Sequence, residues 1–508
     1  MSISAAMLFR DHMVLQREKK AAVWGTAEPG TKVRITIQGI MADACAGPDG
    51  TWTAILPPLQ TSFEETLVIR GDGEEIVCHD VQVGEVWLAG GQSNMEYLMH
   101  FDRECERERS RLRENSSPQI RFFDYPEVSY EGELQDHDYS RFGIWRKAMP
   151  EDIDYFSAAG YYFACVINRE LQVPVGIVGC NWGGTPCCCW MPEETILANG
   201  GAPWLQEYRE ALTAVNTDEE ARKFKADPAN DPSDPIHNDF ARVMFPGLTP
   251  QEQQRYMDAN PASSLIGTCH PWRPAGLYHT MLRKVIPYTI RGFLYYQGES
   301  DEAKSGLYRD LLKGLIAKWR KDWGEELPFL MVQLAPFESW LTASGENYPA
   351  IRQAQEQAAD SLRNVWLASI GDAGMRYDIH PKNKRPVGER LALLALGHVY
   401  GKNILCDAPR YTGFEWENSR LILKLSHAEG LHSDGKQIQA LQIRCGGQKM
   451  TSGYEAKTAD RAIEIIFRDR PVSPVVVYYA QTPYYKINVF NAAGLPVFPF
   501  CAENIILS

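Results

Sequence analysis

The sequence predicts an α/β protein: a mostly parallel sheet covered by helices, with a β-module at each end of the chain. Three observations carry this. Between about residues 81 and 405, strand-like apolar runs alternate with stretches that place apolar residues at helical spacing, the pattern of strand–helix–strand units. On either side of that region only short apolar or alternating runs occur, divided by turn residues. Within it, glycine and polar residues take over where an apolar run stops, as they do at the carboxyl ends of parallel strands.

A chain of 508 residues is too long for one core, so three domains are expected: a β-module over 1–80, a catalytic α/β domain over 81–405 with insertions near 102–114 and 200–275, and a β-module over 406–508. Apolar residues at 44% and charged residues at 23% are those of an ordinary globular protein. The net charge of −13 speaks against nucleic acid or an anionic membrane as partner, since both require a basic face. No apolar run has the length of a membrane span. The run Ala5–Phe9 is too short for a signal-peptide core, so the chain as it stands reads as cytoplasmic, and as secreted or periplasmic only if a signal was trimmed. Cys187, Cys188 and Cys189 are consecutive and do not readily all find oxidised partners, so reduced, packed cysteines are expected. No Cys-x-x-Cys pair is present, and no metal or other cofactor is expected.

Taken in order, Val14-Leu15, Ala22–Trp24, Val33–Ile37 and Leu67–Ile69 are the first candidate strands, separated by turn residues such as Glu28-Pro29-Gly30. The candidate strands of the α/β region are Glu85–Ala89, Ile120–Phe123, Val175–Gly179, Gly292–Tyr296, Phe329–Leu334 and Val365–Ile370. Helices are expected over Phe156–Leu171, Leu307–Trp319 and Ile351–Leu362, with Leu307, Leu311, Leu315 and Trp319 forming one core-facing stripe. Two segments interrupt the pattern. Asp102–Glu114 is dense in Arg and Glu and reads as a solvated helix face. Asn216–Pro261, with its Asp-Pro pairs and little periodicity, reads as a surface excursion that shapes a cleft wall. Beyond about 405, Leu421–Leu425, Ile438–Ile443, Ala462–Phe467 and Val475–Tyr479 are strand-like.

Four strand ends carry the chemistry. Val86–Ala89 breaks at Gly90-Gly91 and delivers Ser93 into the first turn of a helix, where backbone N–H groups face incoming negative charge. The spacing differs from Gly-x-Ser-x-Gly, because Met95 stands where the last glycine would be. The second loop is Asn181-Trp182-Gly183-Gly184-Thr185, the third Gln297-Gly298-Glu299-Ser300-Asp301, and the fourth Asp378-Ile379-His380-Pro381. Ester hydrolysis by serine needs a hydroxyl, a base, a group that orients the base and donors aimed at the oxyanion; together the four loops hold each part. A serine after a glycine turn is on its own more often a helix cap, and a lone His a packed or surface residue; it is the coincidence of the loops that points to hydrolysis.

These residues resemble the sialate O-acetylesterase-type carbohydrate acetylesterases of the SGNH (GDSL-like) hydrolase superfamily. Gly91–Met95, Trp182–Pro186, Tyr296–Ser300 and Asp378–Pro381 with Lys384 and Gly388 carry the resemblance, which extends to Met13–Gln16 and Asn491–Pro496. It implies a three-layer α/β/α SGNH-hydrolase core with a parallel sheet, flanked by N- and C-terminal β-sandwich-like modules. It also implies metal-free removal of acetyl groups from sugars through an acetyl-serine, with an acetylated sugar or oligosaccharide as substrate. By position, Ser93 matches the nucleophile, His380 the base, and the N–H groups of Ser93 and of Gly183 or Gly184 oxyanion donors. Gln297 occupies the block of the third donor, so its amide is the candidate there. Asp378 stands two residues before His380, where the superfamily commonly has Asp three before, so either a triad with Asp378 or a Ser-His dyad follows. Asp301 replaces a common Asn and reads as a substrate contact or a helix cap. Trp182 reads as a sugar-stacking surface or a structural Trp, and Glu299 as a buried carboxylate. The alternative substrates are acetylated xylan, mannan or pectin fragments; the alternative of another class is a non-catalytic carbohydrate-binding protein.

Overall fold

The computed structural model describes residues 2–227, 231–236, 249–259, 267–435 and 437–505. All six strands expected in the α/β region form, because strands buried on both faces read as continuous apolar runs. Labelled in chain order, they are β1 (Glu74–Gly91), β2 (Ser117–Asp124), β4 (Val175–Asn181), β5 (Gly292–Tyr296), β6 (Phe329–Val332) and β7 (Val365–Ala368). A short antiparallel edge strand, β3 (Trp145–Ala148), joins them and was not foreseen. The spatial order is β3-β2-β4-β1-β5-β6-β7, with every pair except β3·β2 parallel. β1 thus lies mid-sheet, where the chain first builds toward one edge and later toward the other, the place where α/β folds bind ligands.

β1 is also where the first module joins the core. Its first half pairs with Ser62–Gly71 and Val14–Gln16, and its second half with β4 and β5, so residues 80 and 81 sit within one continuous strand. The join is fastened by Glu85, fully buried, which accepts from Arg17 at 2.6 Å and Arg291 at 2.7 Å. Burial pushes this carboxyl up, but the two guanidinium groups outweigh it and hold the group below its ordinary range. Ile40–Cys45 and Thr51–Leu56 are further strands of the first module that the sequence reading passed over.

Four helices matter for the site: α1 (Ser93–Glu96), α2 (Ala158–Leu171), α3 (Ser305–Trp323) and, behind the histidine loop, α4 (Arg385–Leu394). Leu311, Leu315 and Trp319 of the predicted stripe are fully buried on α3, and Leu307 packs at its margin. α2 and α4 approach closely at Gly388, where a Cβ would come 2.5 Å from the Ala159 carbonyl oxygen. After residue 409 two four-stranded sheets share one separate core that includes Leu421, Leu423, Ile443, Ile463, Ile465, Val475 and Val477.

Both interruptions differ from expectation. Cys105–Glu114 is helical but docked, not merely solvated: Cys105, Glu108 and Leu112 are buried, and Glu108 accepts from Arg111, Arg385 and Tyr161. Asn216–Pro261 contains the helices Thr217–Ala226 and Pro250–Ala259; the first is capped by the Asn216 side chain and buries nothing, which is why no periodicity betrayed it. The rest of that segment lies largely outside the described residues. All twelve cysteines are free thiols, and Cys187–Cys189 are fully buried. Among the described residues no helix is long and apolar enough to cross a membrane.

Candidate active site

Strand register brings the loops together. Gly91 pairs with Asn181 on one side and Tyr296 on the other, so the chains leaving β1, β4 and β5 emerge side by side. Gly91 has φ +135°, and a Cβ there would come 2.1 Å from the Tyr296 carbonyl oxygen; only glycine fits the turn that presents Ser93. Ser93 then opens α1, whose first turn is closed by Met95 and Glu96 N–H groups donating to the Gln92 carbonyl.

Ser93 Oγ lies 2.9 Å from His380 Nε2, although the two are 287 residues apart. The His380 side chain is buried, its ring perpendicular to Trp340 at 5.1 Å and tilted against Tyr97 at 6.2 Å. Burial, followed by the positive charges of Lys384 and Lys382, lowers its pKa well below the imidazole range. The ring is therefore neutral at neutral pH, ready to accept the serine proton. Asp378 is buried beside it. Its Oδ1 accepts the His380 backbone N–H at 2.8 Å and lies 3.7 Å from the ring Nδ1, while its Oδ2 faces Lys382 Nζ at 2.9 Å. The carboxylate thus braces the loop through its main chain and stands near the ring without a hydrogen bond to it.

The donors divide. Glu96, half-buried, is pushed up to about 7 by burial, against which the Gly183 N–H donates to it. Either Gly183 or Gly184, the latter at φ +73°, stands as the candidate beside the Ser93 N–H. A Cβ at Gly183 would stand 3.3 Å from Ser93 Cβ and 3.1 Å from Glu96 Oε2, close enough to press on the serine. Gly183→Ala should lower kcat on p-nitrophenyl acetate by about 10-fold or more by displacing the serine, with KM little changed.

Two expectations are corrected. Gln297 Nε2 is fully buried and donates to Asp301 Oδ2 at 2.5 Å, Gln92 Oε1 at 3.2 Å and the Thr185 carbonyl at 3.3 Å, which uses both of its hydrogens and leaves none for an oxyanion. Asp301 does not reach substrate: it is buried, accepting from Gln297 and from the Cys187 N–H at 2.9 Å. Burial pushes its carboxyl up to about 6. Both residues hold the second and third loops together. Trp182 is half-buried, with its N–H on the Gly91 carbonyl at 3.3 Å.

Gln92 and Asn94, read from sequence only as companions of Ser93, tie the loops to one another. Gln92 Oε1 accepts from Gln297, Gly298 and Ser300, stitching the serine turn to the third loop. Asn94 Nδ2 donates to Glu299 at 2.5 Å and to the Ile379 carbonyl at 3.0 Å, and its Oδ1 accepts from Lys384 Nζ at 2.6 Å. Lys384 is fully buried, and burial lowers its pKa to about 7; burial likewise pushes Glu299 up to about 7. Trp272, 44% exposed, lies against Gly184, and Trp340 covers His380; neither was singled out by sequence, since they come from loops without a pattern.

Comparison with known proteins places this arrangement. Residues 264–396, which include Gln297 and His380, match the family described as carbohydrate esterase, sialic acid-specific acetylesterase. The sialate O-acetylesterase of Rattus norvegicus is 26% identical over 97% of this chain and 93% of its own length, and that of Homo sapiens 26% identical over 87% and 79%. A carbohydrate acetylesterase from Xanthomonas citri superposes with a TM-score of 0.75 at 26% identity, covering 99% of this chain and all of that one. The chain is similar to the carbohydrate esterases of the sialate O-acetylesterase type. As a carboxylic ester hydrolase acting on acetylated carbohydrate, this esterase has the three-layer α/β/α core that the sequence predicts.

Proposed function

We propose that this esterase removes O-acetyl groups from sugars through an acetyl-serine on Ser93. The 2.9 Å contact between Ser93 Oγ and His380 Nε2 at the mouth of the central strand carries the reading. His380 takes the serine proton as Oγ attacks the acetyl carbonyl. The N–H groups of Ser93 and of Gly183 or Gly184 hold the oxyanion, and His380 returns the proton to the departing sugar oxygen. Water, deprotonated by the same ring, then attacks the acetyl-serine, and acetate leaves as Ser93 regains its proton.

The depressed pKa of His380 fixes a sign. Only the neutral ring can act as base, and its folded-state pKa lies below the ordinary 6.5, so the neutral form persists as pH falls through that value. The acid limb of kcat/KM is therefore expected below 6.5. A pH profile on a non-ionising ester measures it.

For the sugar, the relatives point to O-acetylated sialate. The lining supports a second reading, a neutral acetylated glycan: Trp182, Trp272 and Trp340 offer aromatic faces, and Glu96, Asp124 and Glu127 interact near the β1 and β2 ends. Burial raises all three carboxyls, and the charge of Glu96 raises Asp124 and Glu127 further, a setting that disfavours a further carboxylate. Acetate release is to be compared on O-acetylated sialate and on acetylated xylan and mannan fragments. A higher kcat/KM on sialate supports the first reading and on the neutral fragments the second; no acetate from any of them contradicts the proposal.

A further inference from the structure

At the far end of α4, a turn over Ala395–Val399 carries His398 to a loop that ends in Cys406 and Asp407. From Arg385 to His398 the helical rise is about 20 Å, so this place is remote from the histidine loop. His398 Nε2 lies 3.0 Å from both Asp407 oxygens, Cys406 Sγ lies 3.5 Å from that Nε2, and the same Sγ is 3.6 Å from Asp407 Oδ2. His427 Nδ1, arriving from the C-terminal module, is 3.9 Å from Asp407 Oδ2. Ligand atoms about 2.0–2.3 Å from a tetrahedral zinc ion stand roughly 3.3–3.7 Å from one another; both Cys406 separations fall in that range, and His398 and Asp407 stand somewhat closer.

The surroundings hold these groups in place. A Cβ at Gly397 would fall 2.3 Å from Cys406 Sγ, so the thiol occupies the room that glycine leaves. The His398 ring stacks on Trp366 at 4.6 Å with a 10° interplanar angle, which fixes its orientation. Fully buried Asn491 donates to the carbonyls of both Asp407 and His427, setting the two stretches side by side. His427 itself adopts φ +52°, a left-handed conformation that a non-glycine residue rarely takes. An ordinary His–Asp ion pair needs none of these supports. Soft thiolate with imidazole and carboxylate is a donor set for zinc-class divalent ions.

We propose that His398, Cys406 and Asp407, whose ligand atoms all lie within 4.8 Å of one another, bind one zinc-class divalent cation beside the join between the α/β core and the C-terminal module. Binding exchanges the Cys406 thiol proton, released to water, for a metal–sulfur bond. The site stands at the opposite end of α4 from the histidine loop, and the chemistry at Ser93 proceeds without it. No sequence spacing announces it, because its ligands come from two stretches with no metal-motif spacing.

The test uses the metal-stripped full-length protein titrated with Co²⁺ and with Zn²⁺. One equivalent should bind, Co²⁺ giving a thiolate charge-transfer band and Zn²⁺ raising the melting temperature. Cys406→Ala and His398→Ala should each lose the band and weaken Zn²⁺ binding by about 100-fold or more, while Cys406→Ala keeps wild-type hydrolysis of p-nitrophenyl acetate below its melting range. Absence of the band in the unmutated protein overturns the site whether or not the variants fold, as does Zn²⁺ binding that Cys406→Ala leaves unchanged.

Discussion

Ser93→Ala is expected to lower acetate release by ~10³–10⁶-fold while the protein folds and melts as before. The Ser93 hydroxyl meets His380 Nε2 at the surface of the site, and its loss leaves the turn at Gly91 and the Gln92 and Asn94 contacts intact. What remains is polarisation of the ester by the two backbone donors, which acts without a nucleophile and yields only a residue of the rate. The thiols of the second loop are poor replacements: burial pushes Cys187 and Cys188 far above the thiol range. Retention of more than about a hundredth of the activity would send the search for the nucleophile to Cys187–Cys189.

His380→Ala is the second large effect, on the order of 10³–10⁵-fold in kcat, because both proton transfers of the cycle pass through Nε2. Asp378→Asn is expected to cost less, on the order of 10²-fold. At 3.7 Å from Nδ1 the carboxylate stabilises the imidazolium by charge, and its 2.8 Å bond from the His380 N–H holds the loop. Asparagine keeps an acceptor for that N–H but cannot offset the positive ring. The two variants are compared above the titration range of the imidazole, so that protonation does not mask the difference. An Asp378→Asn loss of only a few-fold beside an inactive His380→Ala would reduce the triad to a dyad.

The core was legible because parallel strands buried on both faces leave apolar runs of β length, and because nature of the strand ends follows from the sheet. Ser93 and His380 were singled out that way, and the fold sets them 2.9 Å apart. β3 was missed since a four-residue edge strand containing Arg146 and Lys147 carries no such run. Gln297 and Asp301 were misread for a different reason: strand-end position says that a side chain is near the site, but whether it faces substrate or a neighbouring loop depends on partners 112 to 205 residues away. Lys384 shows the same limit. At the start of a helix it looks like a solvated lysine, yet Asn94 and the Pro381 carbonyl draw it fully inside.

The central claim is that Ser93, activated by His380, carries the acetyl group. A fluorophosphonate probe followed by peptide mass mapping tests it most directly, since only an activated nucleophile is labelled. One adduct, on Ser93, absent from Ser93→Ala and slow to form in His380→Ala, is the predicted result. An adduct on another residue, or none in enzyme that releases acetate, would contradict it.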